Sequence, residues 1–279
     1  MAIKTNKNNY PKIGLALGSG GSRGLAHIGV IKILEENNIP IDFIAGSSIG
    51  ALVGGLYAAT KDIKKVEEIF LLSNKQQILK LFFDPSIGGG FINGDKIENF
   101  ISEIIDAIKF KSLKIPFTAI ATDLKNGKAV LINKGSVSKA IRSSISVPMI
   151  FMPSKNGTKL LVDGGLSQSV PVEAVKVMGA DFIIAVNVDA HCVYQNGKKN
   201  PGFSDIGMYT IGILRARISE LSSEKADIVI NPNIHDSNII GVMNFIDGKK
   251  MIKKGESAMG LSMSELKSKI SNYKIQNKY

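Results

Sequence analysis

Tryptophan is absent from this chain of 279 residues, and cysteine occurs once, at Cys192. A single thiol excludes an intramolecular disulfide framework and suits a reducing compartment, so a cytoplasmic location is expected. No run of about 18 or more apolar residues is present, which leaves no segment able to cross a bilayer as a helix. The first apolar run, Ile13 to Leu17, follows Lys4, Lys7 and Lys12. It is too short for the core of a signal peptide, and glycines follow it at once.

Acidic residues are outnumbered, 24 Asp and Glu against 35 Lys and Arg, for a net charge of +11. Anionic lipid surfaces and nucleic acids both attract such a chain. The lysines are spread along the sequence and no basic groove with interleaved aromatics is present, so nucleic acid is not an expected partner. Part of the surplus decorates the terminal segment 250–279, which reads either as a solvated helix face or as a peripheral contact with anionic membrane at its inner face.

What is present describes a globular chain: 44% hydrophobic residues, 28 glycines and 9 prolines, at a length that buries one substantial core. Residues 1–11 are polar and expected to be flexible, and 12–279 to form a single domain. Ile13 to Leu17 reads as a strand, Gly18 to Gly24 as a glycine loop, Leu25 to Glu36 as a helix closed by Asn37, Asn38 and Pro40, and the run from Ile41 that ends at Gly46 as a second strand. This is a βαβ unit, which implies a parallel sheet covered by helices, with ligands at the C-terminal edge of the strands.

Residues 61–82 read as a helix pair, Pro85 to Gly90 as a turn, and Gly94 to Ile108 as a helix. The apolar cluster Leu79 to Phe83 is either a buried helix or a cover over a site that an acyl chain enters. Phe117 to Thr122 and Ala129 to Ile132 suit a hairpin about Lys125-Asn126-Gly127, Val137 to Ser144 a short helix, and Leu160 to Val162 a strand. There follow a helix from Val172 to Met178, a strand from Phe182 to Val188 and a polar loop over 190–204. A helix from Met208 to Leu221, a strand from Ile228 to Ile230 and a basic helix over 250–272 complete the chain.

The chemistry concentrates where the second strand ends, at Gly46-Ser47-Ser48-Ile49-Gly50, a G-x-S-x-G turn. A strand that reverses abruptly into a helix brings its backbone against itself, and glycines two before and two after the turn residue remove the collision. Ser48 is then held at the tip, with a helix N-terminus beneath it to stabilise negative charge. Ser47 is a rival nucleophile, but Ile49 stands two positions beyond it and would crowd the turn.

A serine nucleophile needs a base and an oxyanion stabiliser. His27 lies among apolar neighbours, where packing or a cap-like hydrogen bond accounts for it; His191 and His235 are alternatives as base, each without a local signature. Asp163 directly follows a strand and precedes Gly164 and Gly165, which leave room beside its carboxylate. The Gly18 to Gly24 loop ends a strand and opens a helix, so its N–H groups can converge on a negative oxygen. It has no lysine for a nucleoside triphosphate loop, and Arg23 stands where a dinucleotide fingerprint needs glycine.

Taken in order, LALGSGGSRGLAHIGV (15–30), IDFIAGSSIGALVGGLYA (41–58), VSKAIRSSISVPMIF (137–151) and LVDGGLSQSVPVEAVKVMGAD (161–181) resemble the patatin-like phospholipase family. The likeness is to its bacterial branch akin to the catalytic domain of neuropathy target esterase. One departure is Ser19, inside what is usually an unbroken glycine run. The resemblance implies a three-layer α/β/α sandwich with a mainly parallel central sheet, distinct from the usual α/β hydrolases. It also implies a serine–aspartate dyad of Ser48 and Asp163, set on the turns of Gly46 and Gly50 and of Gly164 and Gly165. The oxyanion hole would come from Gly18, Gly20, Gly21, Ser22, Arg23 and Gly24, with Arg23 supporting the loop. The implied chemistry is hydrolysis of acyl esters in phospholipid, lysophospholipid or neutral lipid through an acyl-enzyme, with neither metal nor organic cofactor. A Ser-His-Asp esterase and a non-catalytic lipid-binding protein on the same scaffold are the alternatives.

Overall fold

The computed structural model describes residues 10–72, 92–191, 200–234 and 248–273. The expected turn at Pro85 to Gly90, the cluster Leu79 to Phe83, His235 and most of the polar N-terminus lie outside the described residues. Tyr10, at the end of the stretch expected to be flexible, packs on the core.

Among the described residues the strands are β1 (Ile13–Leu17), β2 (Phe43–Ser47), β3 (Phe117–Asp123), β4 (Ala129–Ile132), β5 (Ser154–Asn156), β6 (Lys159–Asp163), β7 (Phe182–Val186) and β8 (Ile228–Ile230). The helices are α1 (Ala26–Glu36), α2 (Ile49–Thr60), α3 (Ile63–Leu72), α4 (Asp95–Ile104), α5 (Val137–Ser144), α6 (Val172–Val177), α7 (Phe203–Ser223) and α8 (Gly248–Asn272). The strands form one sheet in the order β5-β6-β3-β2-β1-β7-β8, with β4 also paired to β3. The pairings of β3, β2, β1, β7 and β8 are parallel, and those of β4, β5 and β6 antiparallel.

Alternation along the strands supplies the two faces. Ile13, Leu15 and Leu17 of β1, with Phe182, Ile184 and Val186 of β7, point into the larger core, which α1, α2 and α8 close. Ala16, Ala45, Ile183 and Ala185 point the other way, into a thinner layer under α6. Both faces are covered, which is why the central strands read as continuous apolar runs.

α4 ends at Ile104 rather than Ile108, and two further elements differ from expectation. β5 was not foreseen, because Ser154-Lys155-Asn156 carries no apolar signal; it exists by pairing with β6. α7 begins at Phe203 rather than Met208, since the Asp205 carboxylate accepts the Gly202 N–H at 3.0 Å and secures its first turn. The basic terminal helix α8 is a core element: Met251, Ile252, Met259, Met263, Leu266 and Ile270 are buried, and it packs along α1.

Candidate active site

β2 ends at Ser47 and α2 starts at Ile49, so Ser48 alone makes the connection. It does so at φ 55 and ψ −123, a conformation that costs a residue with a side chain about 1–3 kcal/mol. The flanking glycines make the bend possible: a Cβ on Gly46 would lie 2.3 Å from the Gly50 carbonyl oxygen, and one on Gly50 2.2 Å from that of Leu17. The Ser48 N–H donates to Ser144 Oγ at 2.9 Å, and the Ser144 hydroxyl donates in turn to the Ile120 carbonyl. The rival Ser47 is fully buried inside β2, and its Oγ has no hydrogen-bond partner among the described residues.

β3 sets the distance between serine and aspartate. Ser47 is paired with Ile120, and the next residue of β3, Ala121, is paired with Asp163. Successive Cα atoms are about 3.8 Å apart, so one strand aligns two segments 115 positions apart in sequence. Ser48 Oγ donates to Asp163 Oδ2 at 2.5 Å, and the two residues are 6% and 4% exposed. Asp163 Oδ1 accepts the Gly165 N–H at 2.8 Å. The Asp163 backbone is tied down as well, its N–H to the Ser146 carbonyl at 2.9 Å and its carbonyl to Thr122 Oγ1 at 2.7 Å. A Cβ on Gly164 would lie 2.2 Å from the Ile120 carbonyl oxygen, so the turn closes onto β3 only without one. Burial pushes the Asp163 carboxyl up to about 6, against the hydrogen bonds from Ser48 and Gly165 and the charge of Arg215.

The glycine loop lies beside this pair. The Gly18 N–H donates to the Val186 carbonyl at 3.0 Å and the Ser19 N–H to that of Ser169 at 2.9 Å, so both donors are engaged. Ser19 Oγ also meets Ser169 Oγ at 2.6 Å, which joins the loop to the chain after Asp163. The N–H groups of Gly20 and Gly21 have no acceptor among the described residues. Ser22, Arg23 and Gly24 continue as a short 3-10 turn, Gly21–Leu25. Gly24 abuts Ile49, where a Cβ would come within 2.1 Å of Ile49 Cγ2, so the loop rests on the first turn of α2.

Charges hold the loop from below. Arg23 Nη2 donates to Asp189 Oδ1 at 2.6 Å, and Arg215 Nε donates to Asp189 Oδ2 at 2.6 Å. All three are buried. Burial would raise the Asp189 carboxyl, but the two guanidiniums outweigh it and hold it below the usual carboxylate range. His27 is buried with Nε2 2.7 Å from the Gly18 carbonyl, and burial lowers its pKa to about 4. Its ring is therefore neutral near pH 7, and Nε2 is the donor. Packing or a cap-like bond was expected of His27; it is packed, and its hydrogen bond goes to the glycine loop rather than to the helix end. His191 lies in the turn after β7, and the hydrogen-bond partner of Ser48 Oγ is the aspartate.

Sequence reasoning passed over Ser144, Asp189 and Arg215. Ser144 stands inside the segment 137–151 that carried the resemblance, so a signal was present without a role. Asp189 and Arg215 had none: one follows a strand, the other sits mid-helix, and only folding brings them together.

The family model described as patatin-like phospholipase matches residues 15–176. An uncharacterised NTE family protein of Mycobacterium tuberculosis is 39% identical over 191 residues, 67% of this chain and 52% of that one. The chain thus matches about half the length of that relative. A protein of Emericella nidulans named lysophospholipase nte1 is 31% identical over 204 residues, 71% of this chain and 13% of that one. In fold the chain is similar to VipD from Legionella pneumophila, with a TM-score of 0.51 at 13% identity, over 92% of this chain and 67% of that one. With its family model spanning the glycine loop, the Ser48 turn and the Asp163 turn, the chain belongs to the patatin-like phospholipase family.

Proposed function

We propose that the protein is a lipid acyl hydrolase of phospholipase A or lysophospholipase type, acting through Ser48 and Asp163. The observation that carries this reading is the 2.5 Å hydrogen bond from a strained, buried serine hydroxyl to a buried carboxylate. Asp163 takes the Ser48 proton as Oγ attacks the ester carbonyl. The N–H groups of Gly20 and Gly21, which have no acceptor among the described residues, receive the tetrahedral oxyanion. As the intermediate collapses, the leaving alcohol or lysophospholipid takes the proton from Asp163, and the acyl group stays on Ser48. Water then gives a proton to the same carboxylate, attacks the acyl carbonyl, and releases a fatty acid as Ser48 regains its proton.

The name of the Emericella nidulans relative supports a lysophospholipid as substrate, and the family supports acyl esters more broadly. Mass spectrometry of products from phospholipids, lysophospholipids and acylglycerols tests the reading. Free fatty acid is expected from wild type, with Ser48→Ala and Asp163→Asn each at least about 1,000-fold slower. Undiminished turnover by folded Asp163→Asn would remove Asp163 as the base. Unchanged rates in His191→Ala and His235→Ala are expected of a dyad, and a large loss in either would support a triad.

A further inference from the structure

A helix on a protein surface normally turns its apolar stripe inward and its polar side to water. α7 departs from this: beside Met208, which packs on the core, it turns polar residues inward. Its inward residues include Arg215, Ser219 and Ser223, all buried. Its outward residues include Phe203, Ile206, Ile213, Leu214 and Leu221, at 91%, 52%, 58%, 58% and 52% exposure. Their spacing puts all five within an arc of about 100° on the helix, shared with the exposed Arg217, which pairs with Glu220. The polarity is anchored, because Arg215 bonds Asp189 and Ser222 Oγ accepts the Val170 N–H at 3.1 Å. Turning the helix over to bury its apolar side would break the buried ion pair.

The face also lies next to the candidate active site. α7 packs on the turn Gly164–Leu166 that follows Asp163. Its Gly207 sits against Met149, where a Cβ would be 3.0 Å from the thioether sulfur. Met149 and Met152, each 38% exposed, carry the apolar surface into the loop whose Ser146 carbonyl holds the Asp163 N–H. Beyond them, Lys155 and Lys159 on the β5–β6 hairpin are exposed, with no carboxylate paired to them among the described residues.

We propose that this outward face of α7, with Met149 and Met152, seats the protein on an anionic phospholipid bilayer and presents the Ser48 site to it. The proposal rests on the hydrolase reading for its purpose but not for its geometry. An interfacial helix buries its apolar side chains in the boundary between headgroups and acyl chains, with basic groups at the lipid phosphates. The chain's net charge of +11 favours this occupant over a second copy of the same chain, whose like charge would oppose close approach. The lysine-rich helix α8 is not the seat, since its apolar side is already buried on α1.

The test uses the full chain carrying Ser48→Ala, so that binding is read without lipid breakdown and independently of the hydrolase reading. Sedimentation with phosphatidylcholine vesicles containing phosphatidylglycerol is expected to capture it, and added salt to weaken capture. Adding Phe203→Asp and Leu214→Asp is expected to lower vesicle affinity at least about ten-fold, with the melting temperature unchanged because both residues are exposed. With Ser48 intact, the same pair should lose vesicle hydrolysis but keep hydrolysis of a short-chain, monomeric ester. Equal vesicle affinity with and without the substitutions would overturn the proposal, as would the absence of any capture. Light scattering that shows a dimer dissolved by the two aspartates would assign the face to a second copy instead.

Discussion

Asp163 works in two directions at once. Its carboxyl stands at about 6 rather than 3.8, chiefly through burial. As the proposed base, Asp163 must be ionised, so kcat/KM is expected to rise with pH about an inflection near 6. A pH–rate profile flat from pH about 5 to 8 would contradict that role. The same shift acts on stability with a definite sign. The folded state holds the proton more tightly than the unfolded state, so stability falls as pH rises from 3.8 to about 6 and stays lower above. The difference is about 3 kcal/mol. Asp163→Asn, which cannot ionise, is therefore expected to melt above wild type at pH about 8 and to lose that advantage by pH about 4. Asp189 is the other sensitive carboxylate. Asp189→Ala would remove the carboxylate that separates the buried Arg23 and Arg215 guanidiniums, at a cost of about 3–5 kcal/mol, which urea unfolding would measure. Asp189→Asn keeps the shape but not the charge, and a fall in kcat larger than any change in KM would mark a role in positioning the glycine loop.

Helix contacts decide which backbone positions tolerate a side chain. α8 crosses α1 so closely that a Cβ on Gly255 would lie 1.9 Å from the Ala26 carbonyl oxygen, whereas one on Gly260 would meet nothing within 4 Å. Gly260→Ala is thus expected to raise stability by up to about 1 kcal/mol, the difference in helix propensity. Gly255→Ala is expected to destabilise by more than that gain, because α8 must move off α1. Thermal melting of both variants checks the contrast, and similar shifts would mean the crossing is looser than described. The strands were legible for a related reason: β1, β2, β3 and β7 are runs of apolar residues bounded by glycine or polar turns. β5 was not, since a polar edge strand owes its form to its partner. Nor was the inversion of α7, because periodicity locates an apolar stripe without saying which way it faces.

In the molecule as a whole, α8 is indispensable to the core. Its six buried apolar side chains contribute about 1.5–3 kcal/mol each. Their sum rivals the whole stability of an ordinary domain, about 5–15 kcal/mol. A chain truncated after residue 247 is therefore expected to be unfolded by circular dichroism, and a folded, active truncation would refute this. His27 sets the acid limit. Its pKa is lowered to about 4 by burial, so the stability that its neutral ring permits is complete above about 6.5 and is lost as pH falls through about 4. Asp163→Asn leaves that acid limit in place.

What the chain settled locally was each turn taken by itself. Gly46 and Gly50 around Ser48, the glycines after Asp163 and the loop from Gly18 to Gly24 are short-range steric requirements, and short-range sterics are written in adjacent residues. Those motifs, in order, also carried the family and its fold. What only the tertiary structure decided was how they meet: β3 pairing Ser47 at Ile120 and Asp163 at Ala121, Asp189 bridging Arg23 and Arg215, and α7 turned with its apolar side to solvent. Each of these depends on the register of strands and the rotation of helices distant in sequence, and packing of the whole chain sets both.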